Sequence, residues 1–505
     1  MNVRLVTRAV AAIVVVIGVA MVTAAGVAWG MGDSKLAVLR LGLCSLITLL
    51  ASSLTLVWVR AKGDFRFREG FAIVALGWIF ASIFGALPFF WAGGMCGYDV
   101  FFETMSGFTT TGASVLDNTL ALRDGGVLPR GIVDLPFGVL YWRSLTHWLG
   151  GMGIVVLSLA VFPSLGLGAH QLYLAEVPGP TEDQMTPRIA DSAKILWGVY
   201  VLLSLAETAL LMAGGMSLFD AWCHTCGTMA TGGFSTRQAS VGGFGSLYID
   251  MVITVFMFLA GSNFLLHFRA LRGKPLNYFN DEEFKFYFGV VVVATLTISC
   301  SLLGGGIVTT DGRVIENAGV ADALRYAVFQ VVSIVTTTGF ATADFNLWPA
   351  YAALLLVLLM FVGGCAGSTG GGMKNARVIL TLKYGVTQIK RCFFRRAISN
   401  VRLNGARIPE SALHKVLAFV CLFVGLHVFF SLALCALGVD DIVTAATASI
   451  AALGNIGPGL GGVGATRSYA WMTPEAKILL SVAMLLGRLE VYTVLVLFLP
   501  SFYKG

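Results

Sequence analysis

Apolar residues in this chain come in blocks of membrane length. They occupy roughly residues 9–30, 38–59, 70–93, 138–162, 193–214, 247–268, 285–305, 349–390 (interrupted), 413–437 and 476–500. About twenty apolar residues suffice for a helix to cross ~30 Å of hydrocarbon, so the pattern predicts ten transmembrane segments. Shorter apolar stretches lie between the third and fourth, fifth and sixth, seventh and eighth, and ninth and tenth segments. Each is too short to cross as a helix and is predicted to enter the membrane and return. Such backbone is tolerated only where it is buried in protein or lines water.

Each re-entrant stretch starts near an aspartate, Asp99, Asp220, Asp322 or Asp441, whose carboxylate is expected to cap the first helical turn. Each ends in a glycine-centred cluster: Thr109-Thr110-Thr111-Gly112, Met229-Ala230-Thr231-Gly232, Thr336-Thr337-Thr338-Gly339 and Gly454-Asn455-Ile456-Gly457. The four glycines are 120, 107 and 118 residues apart. The repeating unit is therefore helix, re-entrant helix, turn, helix. Four such units, each incomplete alone, predict a pseudo-fourfold ring around one axis.

A dehydrated monovalent cation needs oxygen ligands in place of water. Rings of backbone carbonyls supply them without a net charge that would trap the ion. Glycine allows the backbone geometry this requires, threonine hydroxyls add oxygens, and the short helices aim their negative dipole ends at the site. The candidate cation ligands are Thr110, Thr111, Gly112, Ala230, Thr231, Gly232, Thr337, Thr338, Gly339, Asn455, Ile456 and Gly457. No acid lies inside any cluster, whereas a carboxylate ring would suit divalent ions.

Composition agrees with the membrane reading. Of 505 residues, 57% are apolar and 12% charged, about half the charged share of a soluble domain. Ten Lys/Arg against one acid, Glu410, fall between Lys374 and Lys415, and smaller basic clusters lie at 60–68 and 269–274. Basic loops stay cytoplasmic. With an even number of crossings, Arg4, Arg8 and Lys504 favour both termini there too, and the acid-flanked clusters then face outward. In a membrane protein this basic loop is a topology signal rather than a nucleic-acid site. The run after Arg4 and Arg8 is longer than a signal-peptide core, and a second hydrophobic segment follows at once, so it is read as a retained hairpin.

Two features predict a gate. Residues 363–372 hold six glycines within an apolar segment too long for one crossing. At ~1 kcal/mol each in a helix interior, they should break the helix. Such a loop, with Gly367, Ser368, Thr369 and Gly370 at its centre, could cover a pore below the filter. Arg488 lies within the last apolar segment, where an unpaired charge costs at least ~2.5–3.5 kcal/mol. It is expected to project below the filter and bond the glycine-rich loop.

Other signals are weak. Nine scattered cysteines imply no disulfide framework. Cys223-His224-Thr225-Cys226 lacks a second ligand pair. Glu207 lies at membrane depth with no nameable partner, and His147, His267 and His427 receive no role. No HExxH, GxSxG or paired-acid set argues for an enzyme.

Several stretches closely resemble the Trk/Ktr/HKT superfamily of potassium transporters, specifically the bacterial TrkH type. They are Phe101 to Ala113 (FFETMSGFTTTGA), Gly232-Gly233-Phe234-Ser235-Thr236, Thr336-Thr337-Thr338-Gly339-Phe340, Gly454-Asn455-Ile456-Gly457-Pro458-Gly459, Gly363 to Lys374, and Gly487-Arg488-Leu489-Glu490. The resemblance covers nearly the whole chain, and the extra N-terminal helix pair is similar to TrkH rather than the shorter Ktr type. It implies a homodimer with one pore per chain, a gating role for the glycine-rich loop, and a cytoplasmic ring of nucleotide-binding TrkA-type regulatory subunits. In that superfamily, serine at the first filter glycine goes with sodium transport; glycine at all four positions implies K+ selectivity. Met229-Ala230 and Asn455-Ile456 replace the Thr-Thr of the other clusters, so the ring is not a true fourfold.

The expected fold is an all-α integral membrane protein. It has an N-terminal transmembrane hairpin (1–62) and four pseudo-symmetric helix–pore helix–helix repeats (68–175, 190–275, 282–395 with an intramembrane loop at 363–372, and 410–505) around a central pore. The expected function is potassium uptake across the bacterial inner membrane, with K+ as the transported ion and no organic cofactor; the alternative is symport coupled to sodium or protons. Repeats in parallel orientation favour the channel-like ring over the inverted repeats of many coupled carriers.

Overall fold

The computed structural model describes residues 1–61, 67–153, 189–393 and 400–500. Two long helices open the chain, α1 (Val3–Gly30) and α2 (Lys35–Trp58). Asn2 and Ser34 start them by accepting the backbone N–H groups of Leu5 and Ala37. At 1.5 Å per residue α1 is about 42 Å long, enough to cross a bilayer. It packs against α2 and against the helices Phe67–Gly85 and Phe137–Gly151. By contrast α2 leaves Leu36, Leu39, Leu43, Leu46, Leu50 and Leu54 exposed, a face suited to lipid.

The remaining helices follow one plan four times. Repeat 1 comprises α3 (Phe67–Gly85) with its continuation α4 (Leu87–Trp91), the short helix α5 (Gly97–Phe108) and α6 (Phe137–Gly151). Repeat 2 comprises α7 (Ile189–Ala213), α8 (Leu218–Met229), α9 (Leu247–Ala260) and α10 (Phe264–Leu271). Repeat 3 comprises α11 (Glu282–Leu302), α12 (Val320–Val335), α13 (Ala350–Val362) and α14 (Asn375–Phe393). Repeat 4 comprises α15 (Glu410–Ala436), α16 (Ile442–Leu453), α17 (Pro474–Arg488) and α18 (Tyr492–Leu495). The short helices α5, α8, α12 and α16 are nearly or wholly buried in their second halves. The third element of each repeat packs on the short helix of the next: α6 on α8, α9 on α12, α13 on α16, and α17 back on α5. That order closes a ring. Among the described residues, strands form two small hairpins, Ile307–Val308 with Val314–Ile315, and Arg402–Leu403 with Ala406–Arg407.

Among the described residues, six helices are long and apolar enough to span a membrane, and two bent pairs could each form a further span. The expected segments at 247–268 and 476–500 are not continuous helices. They bend by 101° after Ala260 and by 111° after Arg488. Asn263 starts a new helix by capping Leu265 N–H, and Glu490 and Val491 take left-handed backbone angles that no helix accommodates. The third elements of all four repeats end after Gly151, Ala260, Val362 and Arg488, each beside the end of a pore helix. The second half of the expected 138–162 segment lies outside the described residues.

The aspartate caps also differ from expectation. Only Asp441 is an N-cap, accepting from Val443 and Thr444. Asp99, Asp220 and Asp322 sit in the first turn, behind Cys96, Ser217 and Gly319. Ser217 explains the shift in repeat 2: its hydroxyl accepts the Asp220 N–H at 3.0 Å, so the helix begins three residues earlier. An acid in the first turn still complements the helix dipole.

The candidate filter and the loop beneath it

All four short helices end in one way. The N–H groups of Thr111, Gly232, Thr338 and Ile456 reach back to the carbonyls of Ser106, Gly227, Ser333 and Ala451 at 2.8–2.9 Å. The preceding residues Thr110, Thr231, Thr337 and Asn455 are left-handed, with φ of 53°, 54°, 60° and 54°. Two positions on come left-handed glycines Gly112, Gly233, Gly339 and Gly457. The backbone thus sets Gly233, not Gly232, level with the other three. The sequence register slipped by one because repeat 2 has two adjacent glycines; only the left-handed angle distinguishes them.

These glycines form a closed ring. A Cβ on Gly112 would collide with the Gly232 carbonyl oxygen, one on Gly233 with that of Thr338, one on Gly339 with that of Ile456, and one on Gly457 with that of Thr111. Each repeat's glycine thus packs on the carbonyl just before the equivalent glycine of the next, and the fourth returns to the first. Gly150 and Gly487 repeat the theme lower down, against the carbonyls of the equivalent residues Phe108 and Leu453. The four turns converge on one axis.

Buried charges brace the ring. Arg143 pairs with Glu103 at 2.7 Å, with side chains 3% and 0% exposed. It also donates to the Ser235 carbonyl at 2.9 Å and lies 3.5 Å over the Phe234 ring. Glu103 in turn accepts from Ser114 and from Val115 N–H. One pair thus ties the exits of the first two turns. Between later repeats Asp250 holds Arg325, and between the last and first Lys477 holds Asp99. His147 bonds the Gly107 carbonyl at 2.7 Å and stacks on Phe234, directly behind Gly232. Sequence reading passed over Arg143 and His147, although an arginine inside an apolar segment was the available signal.

Beneath the ring, residues 363–374 leave the helical path. The Thr369 hydroxyl donates to the Met229 and Ala260 carbonyls at 3.0 and 3.2 Å. Gly371 N–H donates to the Thr337 hydroxyl at 2.7 Å, and Gly371 and Gly370 pack against the carbonyls of Gly454 and Thr336. The Ser368 hydroxyl turns inward to Cys365 O and Gly370 N, and Gly367 O accepts Phe264 N–H. Arg488 donates to Thr369 O at 2.7 Å, to Gly150 O at 2.6 Å and to Gly151 O at 3.0 Å. The loop thus touches the pore-helix ends of repeats 2, 3 and 4, and Arg488 joins it to the last residues of α6 in repeat 1. Glu283 fastens both ends of the loop by accepting Ala366 and Ala376 N–H. Lys374, expected to begin the basic loop, is instead buried and donates to Gly370 O.

On the face opposite the glycine-rich loop, acids anchor loops. Asp117 accepts from Thr119 and Ser468, and Asp344 from Asn346 and Thr466. The Thr444 hydroxyl, with two backbone N–H groups, holds the Asp441 carboxyl below its usual range. His224 spends both nitrogens on Asp220 O and Ser235 Oγ. His267 bonds Leu259 O and Tyr278, and His427 bonds Ser449. Both Glu207 carboxylate oxygens are buried without a hydrogen-bond partner among the described residues.

A family model described as TrkH, cation transport protein, matches residues 43–503. The chain belongs to the TrkH family. It is 42% identical over 449 residues to the Trk system potassium uptake protein TrkH of Salmonella typhimurium and to that of Escherichia coli, with 88% of each chain covered. It is 34% identical to the Escherichia coli Trk system potassium uptake protein TrkG, over 87% of this chain and 86% of that one. The crystal structure of the potassium transporter TrkH from Vibrio parahaemolyticus superposes with a TM-score of 0.85, at 34% identity and full coverage of both chains.

Proposed function

We propose that this protein takes up K+ through a pore whose filter is the ring of backbone carbonyls around Gly112, Gly233, Gly339 and Gly457. The closed ring of glycine–carbonyl contacts is the observation that carries the reading. Alternating left-handed residues turn successive carbonyls to one side of the chain, and the short helices aim their negative ends at the same point. Uncharged oxygens at that point favour a monovalent ion that must also leave.

In this reading Thr369, Gly370 and Arg488 form a closed gate. The loop blocks the path, and the guanidinium raises the barrier to cations below the filter. Glycines at 363, 367 and 372 have positive φ, so the loop can rearrange with few side chains to displace. The exposed Lys390 and the half-buried Arg391 at the end of α14 support a cytoplasmic side there. A cytoplasmic nucleotide-binding regulatory subunit would act on the loop from that side, with two chains forming the dimer. Rubidium flux into liposomes holding the purified protein, competed by sodium, tests the function. Rubidium entry that excess sodium leaves unaffected is expected; absent flux from folded protein would refute conduction.

A further inference from the structure

At the end of the molecule away from the filter, α1 and α2 come together beside a cavity of about 470 Å³. It is lined by Arg8, Leu56, Val57, Arg60 and Ala61. Arg8 donates through Nη1 to Ala61 O at 3.2 Å, but its Nε is buried with no hydrogen-bond partner among the described residues. Neither Arg8 nor Arg60 makes an ion pair with any described residue. The nearby acid on α3, Glu69, accepts the Asn2 N–H instead. Two guanidiniums thus share one cavity with no ion-pair partner among the described residues, an arrangement an anion between them would relieve.

The surroundings say which anion. The rest of the lining, Leu56, Val57 and Ala61, is apolar, and on the same helix Leu54, Val57 and Trp58 are 54%, 63% and 83% exposed. Such a surface belongs against acyl chains, with the tryptophan at headgroup level. Arginine binds phosphate by paired, charge-assisted hydrogen bonds, and basic pockets between membrane helices suit anionic headgroups. We propose that this cavity holds an anionic phospholipid, its phosphate between Arg8 and Arg60 and its chains along Leu54 and Val57. A free phosphate would leave the apolar walls without a ligand. The lipid would pin the N-terminal hairpin to the bilayer independently of conduction.

The test is lipid retention by the full-length protein in mild detergent, counted by native mass spectrometry after adding phosphatidylglycerol or phosphatidylethanolamine. Phosphatidylglycerol should be retained in preference. At about 1 kcal/mol per arginine, Arg60→Gln should weaken retention about fivefold and Arg8→Gln with Arg60→Gln about thirtyfold. Arg4→Gln, exposed and outside the cavity, should change nothing. Arg60 is exposed, so its single variant reports even where the double variant does not fold. Equal retention of both lipids, or undiminished retention in Arg60→Gln, would overturn the site. Displacement of the lipid by equimolar inorganic phosphate would reassign it to free anions.

Discussion

Replacing Gly112 with serine puts a Cβ where the filter has no room for one. The position is left-handed, with φ of 78°, which costs an L-residue ~1–2 kcal/mol. The added carbon would also fall well inside the 3.0 Å that real Cβ atoms keep from the Gly232 oxygen. That carbonyl must retreat by roughly 1 Å, a misplacement that can cost 10²-fold where geometry sets the outcome. The ring passes the disturbance on, because Gly233, next to the displaced carbonyl, packs on the Thr338 oxygen. Discrimination between ions differing in radius by a fraction of an ångström should suffer first. We expect Gly112→Ser to lower rubidium preference over sodium at least tenfold, about 1.4 kcal/mol, read from competed flux into liposomes. Size-exclusion and thermal unfolding profiles would show that the protein is folded. A folded variant with unchanged ion preference would refute the carbonyl ring as the selective element.

Gly233→Ala should impair selectivity as Gly112→Ser is expected to; unaltered selectivity would return the second turn to the Gly232 register. Thr337→Val leaves the buried Gly371 N–H without its acceptor, a cost of ~1–3 kcal/mol borne by the closed loop, so basal flux should rise by about tenfold; flux at the parent level would show that this bond does not hold the gate. Arg488→Ala removes three hydrogen bonds from beneath the filter and should likewise raise flux, with unchanged flux and gating counting against its place across the axis. Arg143→Leu leaves Glu103 buried and unpaired, which costs ~3–5 kcal/mol; a melting temperature within a degree of the parent would contradict the bracing role.

Much of this protein was legible in its sequence because the bilayer simplifies the problem. Apolar length fixes which segments can span, and the run 363–372 announced a broken helix because its six glycines, at ~1 kcal/mol each, outweigh helix formation there. Four recurring clusters announced a ring for a similar reason, since a turn at membrane depth must face protein or water. What the sequence could not resolve were choices between chemically equal neighbours. Gly232 and Gly233 are both glycines, and only the backbone path makes Gly233 the left-handed one. Asp99, Asp220 and Asp322 suit a cap or a first turn alike, and the position of the preceding residues decided. The bends after Ala260 and Arg488 sit where these helices meet the ends of pore helices, contacts that exist only in the assembled ring. Likewise Arg143 finds Glu103 forty positions away, and Glu283 clamps Ala366 and Ala376 across the fold, because tertiary packing alone determines which buried charge meets which partner.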